Sequence, residues 1–414
     1  ERSDRYRSLV ADRRFLVLLD DAVDETQVRP LLPGGGAVLV TTRRRLPGIE
    51  GATGIDLPLL PSAEAMALLT SLVGAGRIAA DRESAERIVE RCGLLPLAVR
   101  AAGAKLAARP HWKLADLAGR LADERRRLTM LKVGDLDVRA SVELSYRSCS
   151  KLERRAFRLL ADVPAREFSA WVLAAACDTD LATAEAVAEG LLDAQLLQAS
   201  GRDGLGHPRY RLHDLFHAVA LERLLDEDSE AARQRAVTRV LAAYCELVSC
   251  ADAMLRPGQG VLQPAVPDSG RWLVDTALLA SVVAAPAGWF AAERASLVAV
   301  VAKAHATARW PLTWATAEAV IGFLDPRSEG AAWRVVGELA LEAAQQAGDE
   351  PAAMTAKQNL GLLQDGAAAR PPRPQGRSTA RAAGPHRANH TAVAAGSTVP
   401  PSRQTGPLAH SVAP

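Results

Sequence analysis

Two adjacent carboxylates end a short apolar run and define the first candidate site. The run is Phe15–Leu19, and Asp20 and Asp21 follow it directly. Its lack of polar alternation is typical of a parallel strand that is buried on both faces. Carboxylates at the end of such a strand can hold Mg²⁺ directly or through water, and a second acid can orient an attacking water molecule. An Asp-rich turn or a helix N-cap is the alternative interpretation.

Hydroxyls and a guanidinium follow the next apolar run. Ala37–Thr42 predicts a second buried strand, which is entered through three glycines and followed by Arg43. Residues 23–32 have the length and apolar spacing of a short helix, so a parallel strand–helix–strand unit is the economical arrangement. Ligands of such sheets bind beyond the carboxyl ends of the strands. Thr41, Thr42 and Arg43 are therefore expected beside the two aspartates, where Arg43 can sense a terminal phosphate.

The residues after the second strand carry two weaker predictions. Ile55–Leu60 predicts a third short strand of the same sheet. Arg44 and Arg45 are expected to form a solvated basic turn rather than part of a site.

Two further motifs lie in helical parts of the chain. In the stretch CGLLPLAV, Gly93 is expected to stop the helix that ends in Cys92. Pro96 lies in the rigid turn that follows, which could cover an adenine ring, with an ordinary helix–turn–helix break as the alternative. The stretch YRLHDLFHAVA places His213 and Asp214 where a hairpin strand meets a helix. A capping or core histidine and an ordinary N-cap aspartate are the alternatives there.

The elements that must position these residues change in character along the chain. From Ser62 onwards the apolar residues recur with a helical period. From about Asp137 to Leu225, four helices followed by a hairpin look like a winged helix-turn-helix domain. Beyond it, AAQQAGDEPAAMTAKQNLGLL contains a Gly-Asp turn that could open a tetratricopeptide-like hairpin, although stacked repeats usually need three neighbours. The predicted segments are 1–75 (partial α/β), 76–136 (helical), 137–225 (winged helix), 226–366 (helical) and 367–414 (tail).

Bulk properties exclude several functional classes. The net charge is only +2, so charge alone does not indicate a nucleic-acid or anionic-membrane partner. The five cysteines form no CxxC pair, which argues against a zinc site or a disulfide scaffold and fits a cytoplasmic protein. No secretory signal opens the chain, and the apolar stretch 276–292 is broken by Pro286 and Gly288, so no membrane segment is expected. The absence of GxSxG and HExxH disfavours an independent hydrolytic or metal enzyme.

The tail has a composition of its own. After Gly366 the chain carries six Arg, eight Pro and no acidic residue. It cannot bury a core, so residues 367–414 are predicted to be disordered. A native basic tail and an out-of-frame translation remain open, and the abrupt loss of acids favours the second.

Taken in order and spacing, these motifs resemble the NB-ARC family of STAND-class signalling ATPases. FLVLLDDA resembles its Walker B strand, LVTTRR its sensor strand, GLLPLAV its GLPL motif and RLHDL its MHD motif. The resemblance covers roughly residues 5–225 and is nearest to bacterial regulators of the antibiotic-regulatory-protein type. Phrases such as QVRPLLPG and GWFAAERASLVAVV extend it to about residue 365. It implies a multidomain, mainly α fold that starts with the C-terminal part of a parallel α/β P-loop NTPase sheet.

The resemblance also implies a role for each candidate residue. Asp20 lies near Mg²⁺, Asp21 near the hydrolytic water, and Arg43 with Thr42 near the terminal phosphate of ATP. Pro96 packs against adenine, and His213 lies near the β-phosphate of bound ADP. The expected function is a transcription regulator with slow ATP hydrolysis at most. It implies protein partners for the C-terminal helices, DNA contact through a separate N-terminal domain, and nucleotide-driven oligomerisation of the longer protein.

One departure from the family pattern is large. No GxxxxGK[ST] occurs, so the loop and lysine that cradle phosphates are missing from this sequence. The chain is expected to begin inside the nucleotide-binding domain, to bind nucleotide poorly and to expose a hydrophobic sheet edge that favours aggregation.

Two other functions are alternatives to the switch. A non-catalytic protein-interaction module with a relic nucleotide site is the alternative. Direct DNA binding by the winged helix is disfavoured, because its candidate recognition helix carries Glu185, Glu189 and Asp193 and no basic residue.

Overall fold

The computed structural model describes residues 2–10, 14–257, 271–324 and 329–368. The predicted tail 367–414 lies outside the described residues, apart from residues 367 and 368, which end the last helix. Residues 258–270, in the predicted helical segment 226–366, also lie outside them.

Helices dominate the described part of the chain. The first group is α1 (Arg2–Val10), α2 (Glu25–Val28), α3 (Ser62–Val73), α4 (Ala75–Ala80), α5 (Arg82–Arg91), α6 (Pro96–Ala107), α7 (Leu114–Ala122) and α8 (Glu124–Met130). The second group is α9 (Val138–Ser148), α10 (Lys151–Leu160), α11 (Ala170–Cys177), α12 (Leu181–Asp193) and α13 (Asp214–Glu227). The third is α14 (Glu230–Leu255), α15 (Thr276–Ala284), α16 (Pro286–Ala306), α17 (Trp310–Phe323), α18 (Gly330–Ala347) and α19 (Glu350–Ala368).

The strands form three small sheets. A parallel pair consists of β1 (Leu16–Ala22) and β2 (Ala37–Thr42), and a short antiparallel hairpin of β3 (Lys132–Val133) and β4 (Leu136–Asp137). The third sheet is antiparallel, in the order β5–β7–β6, from β5 (Glu167–Phe168), β6 (Gln198–Arg202) and β7 (Pro208–Arg211). The predicted hairpin before His213 is therefore confirmed as β6–β7.

The parallel strand–helix–strand unit is confirmed, but its predicted burial is wrong. Helix α2 is short, is capped by Asp24 and continues as a 3₁₀ turn. Along β1, exposed and half-buried residues alternate, with Leu16 65% and Leu18 59% exposed. Within the described part of the chain, no element covers the face that carries these two leucines, which explains the alternation.

The third strand predicted at Ile55–Leu60 is also wrong, because these residues form no strand. Ile55 is 77% and Leu57 91% exposed. Leu60 donates its backbone N–H to the Leu94 carbonyl at 3.1 Å. The segment is therefore tied to the turn before α6 rather than paired with the sheet.

Helices α3, α5, α6 and α7 pack into one cluster through the apolar faces that the sequence predicts. Ala65, Leu69, Ile88 and Leu117 are fully buried there. Helix α5 stops where expected, since Cys92 caps it and Gly93 follows with a φ of +60°. A left-handed residue just after a helix is the common way to satisfy its last carbonyls.

In the third group, α15, α16 and α17 pack against the long α14, α18 packs on α17, and α19 packs on α18. Helices α15 and α16 meet at a bend of 107°, as the Pro286 break predicts. Taken singly, no described helix has the length and hydropathy of a membrane span. The bent pair α15–α16 reaches that length and hydropathy only when its two helices are taken together. Gly348, with a φ of +69°, ends α18 and confirms the predicted Gly-Asp turn before α19.

A buried ion pair joins the three-stranded sheet to these C-terminal helices. Arg209 on β7 and Glu293 on α16 are 5% and 1% exposed, and their side chains are in contact. The guanidinium also donates to the Ser169 hydroxyl at 3.0 Å and to the Glu167 carbonyl at 3.1 Å. The Tyr244 hydroxyl donates to Glu293 at 3.2 Å. Burial raises the pKa of Glu293 despite the guanidinium beside it.

All five cysteines are free thiols, and four of them are buried in different parts of the chain. Cys92 follows α5 and Cys149 follows α9, whereas Cys177 ends α11 and Cys245 lies in α14. Burial raises the pKa of each of these thiols.

Candidate functional site

The two acids of β1 meet a hydroxyl of β2 at the carboxyl end of the strands. The Thr41 hydroxyl donates to the Asp20 carboxylate and accepts the Asp21 backbone N–H at 2.8 Å. Asp21 has a φ of +55°, in the left-handed region, where the strand register also shifts. Both acidic side chains are exposed. The juxtaposition expected from the sequence is present, and of the two threonines expected beside the acids it is Thr41 that makes it.

Arg43 lies over the same strand ends and reaches a helix beyond them. Its Nε donates to Asp21 Oδ1 at 2.9 Å, and its Nη1 donates to the Ser141 hydroxyl on α9 at 3.2 Å. Thr42 faces its own turn, since its hydroxyl donates to the Arg44 carbonyl at 2.8 Å. The Arg43 and Asp21 side chains are 42% and 63% exposed, so their ion pair adds only about 0–1 kcal/mol to stability. The main effect of the pair is to fix the Arg43 guanidinium between Asp21 and Ser141.

The prediction of a solvated basic turn holds for Arg45, whose side chain is 51% exposed, but not for Arg44, which is half-buried. The Arg44 guanidinium donates to the Ser148 carbonyl, at the end of α9, at 3.0 Å. The Arg45 backbone N–H donates to the Asp193 carbonyl on α12 at 3.3 Å, and its side chain pairs with Asp56. Carbonyls at a helix C-terminus attract cations, which is why the Arg44 side chain lies against the end of α9. The exit of β2 is thus held against two helices of the 137–225 segment.

His213 forms a second group with the turn before α6. It caps α13, and its Nδ1 accepts the Leu215 backbone N–H at 3.1 Å. The proton therefore resides on Nε2, which donates to the Gly93 carbonyl at 2.8 Å. His213 is 4% exposed, and burial lowers the pKa of its imidazole. The ring is thus a neutral clamp between two motifs that lie 120 residues apart.

Gly93 is the residue of this contact that the sequence reasoning missed. A Cβ added to it would lie 2.2 Å from His213 Cε1, and its φ of +60° is one that side-chain-bearing residues rarely adopt. Pro96 begins α6 three residues later and is exposed. The sequence did signal a left-handed turn here, since a glycine directly follows a helix. It gave no signal that the Gly93 carbonyl would bind His213.

The two groups are separate in this structure. Within the described residues, no hydrogen bond or ion pair joins Asp20, Asp21 or Arg43 to His213. An indirect connection runs through helices, since α9, which carries Ser141, is tied to α13 by the Arg139–Glu222 pair at 2.7 Å. The described residues also contain no group of three His, Cys, Asp or Glu that could hold a metal ion. Mg²⁺ usually takes one or two carboxylates together with substrate phosphates, and Asp20 fits that limited requirement.

The clamp predicts a pH dependence of stability. Because the pKa of His213 is lowered on folding, the unfolded chain takes up a proton near pH 6.5 while the folded chain stays neutral. The stabilisation is present above that pH and is lost as the pH falls through the lowered value. Urea unfolding at pH 7.5 and 5.5 should therefore show a larger loss for the native chain than for His213→Gln. The exposed His111→Gln should behave like the native chain, and equal losses in native chain and His213→Gln would contradict the prediction.

Comparison with known proteins identifies similar regulators. The chain is 42% identical over 272 residues to the regulatory protein AfsR of Streptomyces griseus, which covers 64% of this chain and 27% of that protein. It is 39% identical over 315 residues to the regulatory protein AfsR of Streptomyces coelicolor, which covers 75% of this chain and 31% of that protein. No family model matches the chain. The chain thus spans less than a third of the length of these relatives, and over most of its own length it is similar to part of regulatory proteins of this kind.

Proposed function

We propose that this chain is part of a nucleotide-dependent signalling switch of the STAND class, in a protein that regulates transcription. The observation that carries the proposal is the 2.8 Å contact of His213 with the Gly93 carbonyl. It joins the two segments that resemble the MHD and GLPL motifs, as a nucleotide-sensitive latch requires. The similarity to regulatory proteins supports the regulatory role. The three-stranded sheet with α9–α13 is proposed to be the winged helix of this switch.

The proposed roles follow from the side chains at the strand ends. Asp20 would hold Mg²⁺, Asp21 would orient a water molecule, and Arg43 would contact the terminal phosphate. Pro96 would pack against adenine. Bound ATP would supply the terminal phosphate whose presence distinguishes two states of the switch. The sequence contains no GxxxxGK[ST], so nucleotide binding by this chain is proposed to be weak.

Arg43 offers a physical route from phosphate to domain movement. Its guanidinium is shared between Asp21 and Ser141, so a phosphate that takes the guanidinium competes with its hold on α9. Ser141 lies on the helix that is paired to α13, which His213 caps. The switch would therefore act by population shift of the segment after residue 137. Oligomerisation and DNA contact through another domain are proposals for the longer protein.

Thermal unfolding with nucleotide tests the proposal. At 10 mM Mg²⁺–ADP, a dissociation constant of about 1 mM stabilises the chain by about 1.4 kcal/mol, which raises Tm by about 2 °C. Asp20→Asn should remove the Mg²⁺-dependent part of the shift. Asp56→Asn is the control, since it removes another exposed acid that pairs with Arg45 instead. No shift at this concentration, or an equal shift in both variants, would contradict the nucleotide site.

A protein-interaction module is the second candidate, and one observation favours it. Helices α17, α18 and α19 pack as successive neighbours and are fixed by polar contacts, since Trp333 Nε1 donates to the Asn359 carbonyl at 3.1 Å and Asn359 donates to Glu318 at 3.0 Å. Met354, on α19, is nevertheless 60% exposed. A rigid helical array with exposed apolar residues is a common platform for binding protein. This candidate needs no nucleotide, so a null result in the thermal test favours it.

A further inference from the structure

The turn between α6 and α7 concentrates positive charge that the switch does not use. Residues 91–132 contain ten basic and three acidic residues, whereas the whole chain carries a net charge of only +2. Arg109 Cζ lies 4.9 Å and Arg120 Cζ 4.3 Å from the ring centre of Trp112. Two guanidiniums thus share a single indole. We call Arg77, Lys105, Arg109, Trp112 and Arg120 the basic turn.

The other two cations are held at the same place by backbone carbonyls. Arg77 donates to the Leu106 carbonyl at 3.0 Å and to the Trp112 carbonyl at 2.7 Å. Lys105 is 8% exposed, and its ammonium is 3.4 Å from the Thr129 carbonyl. Burial lowers the pKa of Lys105, and the charges of Arg109 and Arg120 lower it further. Backbone carbonyls therefore fix the positions of Arg77 and Lys105 close to the two other cations.

None of these four cations forms an ion pair with a carboxylate of the described residues. Exposed arginines on the neighbouring α5 behave differently: Arg82 pairs with Glu86 at 2.9 Å and Arg87 with Glu83 at 3.8 Å. Like charges at short range repel each other, so a cluster without internal neutralisation favours a bound anion.

We propose that the basic turn is a docking surface for the phosphate backbone of double-stranded DNA, bound without regard to sequence. A planar guanidinium that stacks on an aromatic ring keeps its N–H edge free for a phosphate. Arg109 and Arg120 are the groups that would meet neighbouring phosphates of a strand, while Arg77 and Lys105, which donate to backbone carbonyls, hold the turn in place. The proposal does not depend on nucleotide binding. It also does not involve helix α12, whose acidic residues would repel a phosphate backbone.

Two observations favour duplex DNA over other polyanions. Among the described side chains of residues 58–143, no large apolar one is exposed, so the surface has no anchor for a membrane or an apolar protein groove. Single-stranded nucleic acid is usually held by bases that stack on free aromatic faces. Trp112 is already engaged by two guanidiniums. Of these partners, the phosphate backbone of a duplex fits the surface best.

Fluorescence anisotropy of the full chain with a duplex of about 25 base pairs, without nucleotide, tests the proposal. Binding should occur with a dissociation constant of about 1–100 μM and weaken steeply between 50 and 200 mM NaCl. Arg109→Gln/Arg120→Gln should bind about tenfold more weakly and lower the slope of log K against log salt by about 1.8. Arg82→Gln/Arg87→Gln removes the same charge from α5 and should bind within about twofold of the native chain. The arginines of the tail are common to all variants.

Two further measurements separate the remaining outcomes. Arg120→Gln alone leaves Arg109 on Trp112 and should lower the slope by about 0.9, which guards against a folding defect in the double variant. Circular dichroism melts report that fold. Absence of binding by the native chain at 50 mM NaCl would overturn the proposal, as would equal losses in the two double variants. If phosphatidylserine vesicles displace the duplex at a lower phosphate concentration than unlabelled DNA does, the surface is assigned to a membrane instead.

Discussion

Replacing Glu293 by leucine is expected to lower the free energy of unfolding by about 3–5 kcal/mol. The substitution leaves the Arg209 guanidinium buried without its carboxylate, and the Tyr244 hydroxyl loses its acceptor. An unpaired buried charge is among the most costly defects in a folded protein, because neither water nor another charge compensates for it. Urea unfolding followed by circular dichroism measures the loss.

Two variants show whether burial of the pair is the cause. Glu222→Leu removes a carboxylate whose ion pair with Arg139 is partly exposed, and it should cost only about 0–1 kcal/mol. Arg209→Met combined with Glu293→Leu removes both charges and should recover much of the loss, because burial already raises the pKa of Glu293 against the attraction of Arg209. A double variant as unstable as the two single variants added together would contradict this account.

Replacing Gly93 by alanine is expected to lower the free energy of unfolding by about 2–4 kcal/mol. A side chain at a φ of +60° costs about 1–2 kcal/mol, and the new Cβ would lie 2.2 Å from His213 Cε1. The buried imidazole must then move away from the Gly93 carbonyl, which costs about 1–3 kcal/mol for the lost hydrogen bond. Chemical denaturation measures the sum.

Gly134 provides the matched control for this substitution. Its φ is +55°, and a Cβ added there meets nothing within 4 Å. Gly134→Ala therefore carries the backbone cost alone, and the difference between the two variants isolates the contact with His213. Gly93→Ala should also lose the pH dependence assigned to His213. Equal destabilisation by the two alanines would show that the clamp contributes little.

Local patterns in the sequence were enough for the elements that carry the site. The strand–helix–strand unit, the hairpin before His213 and the stop at Gly93 each depend on residues within about one turn or one strand of each other. The errors depend on distant parts of the chain. Whether the leucines of β1 are covered is decided by other elements, and whether Arg44 stays in solvent is decided by the end of α9, some 104 residues away.

The same limit explains which contacts were left open and which went unnoticed. Both Thr41 and Thr42 were expected beside the acids, and only the strand register decides which hydroxyl faces them. Arg209 lies in the stretch RYRLHDL, and nothing near it in the sequence indicates its carboxylate partner 84 residues later. Charge density along the chain, in contrast, can be read directly, although the shared indole of the basic turn cannot.

The scattered buried thiols give the molecule a built-in set of kinetic reporters. Thiolates, not thiols, react with alkylating reagents, and burial raises the pKa of Cys92 to about 12 and of Cys245 to about 11. Each cysteine should therefore be alkylated only when its own surroundings open. Cys92 belongs to the cluster around α5 and Cys245 to α14, so timed alkylation read by mass spectrometry would rank the order in which the two regions come apart.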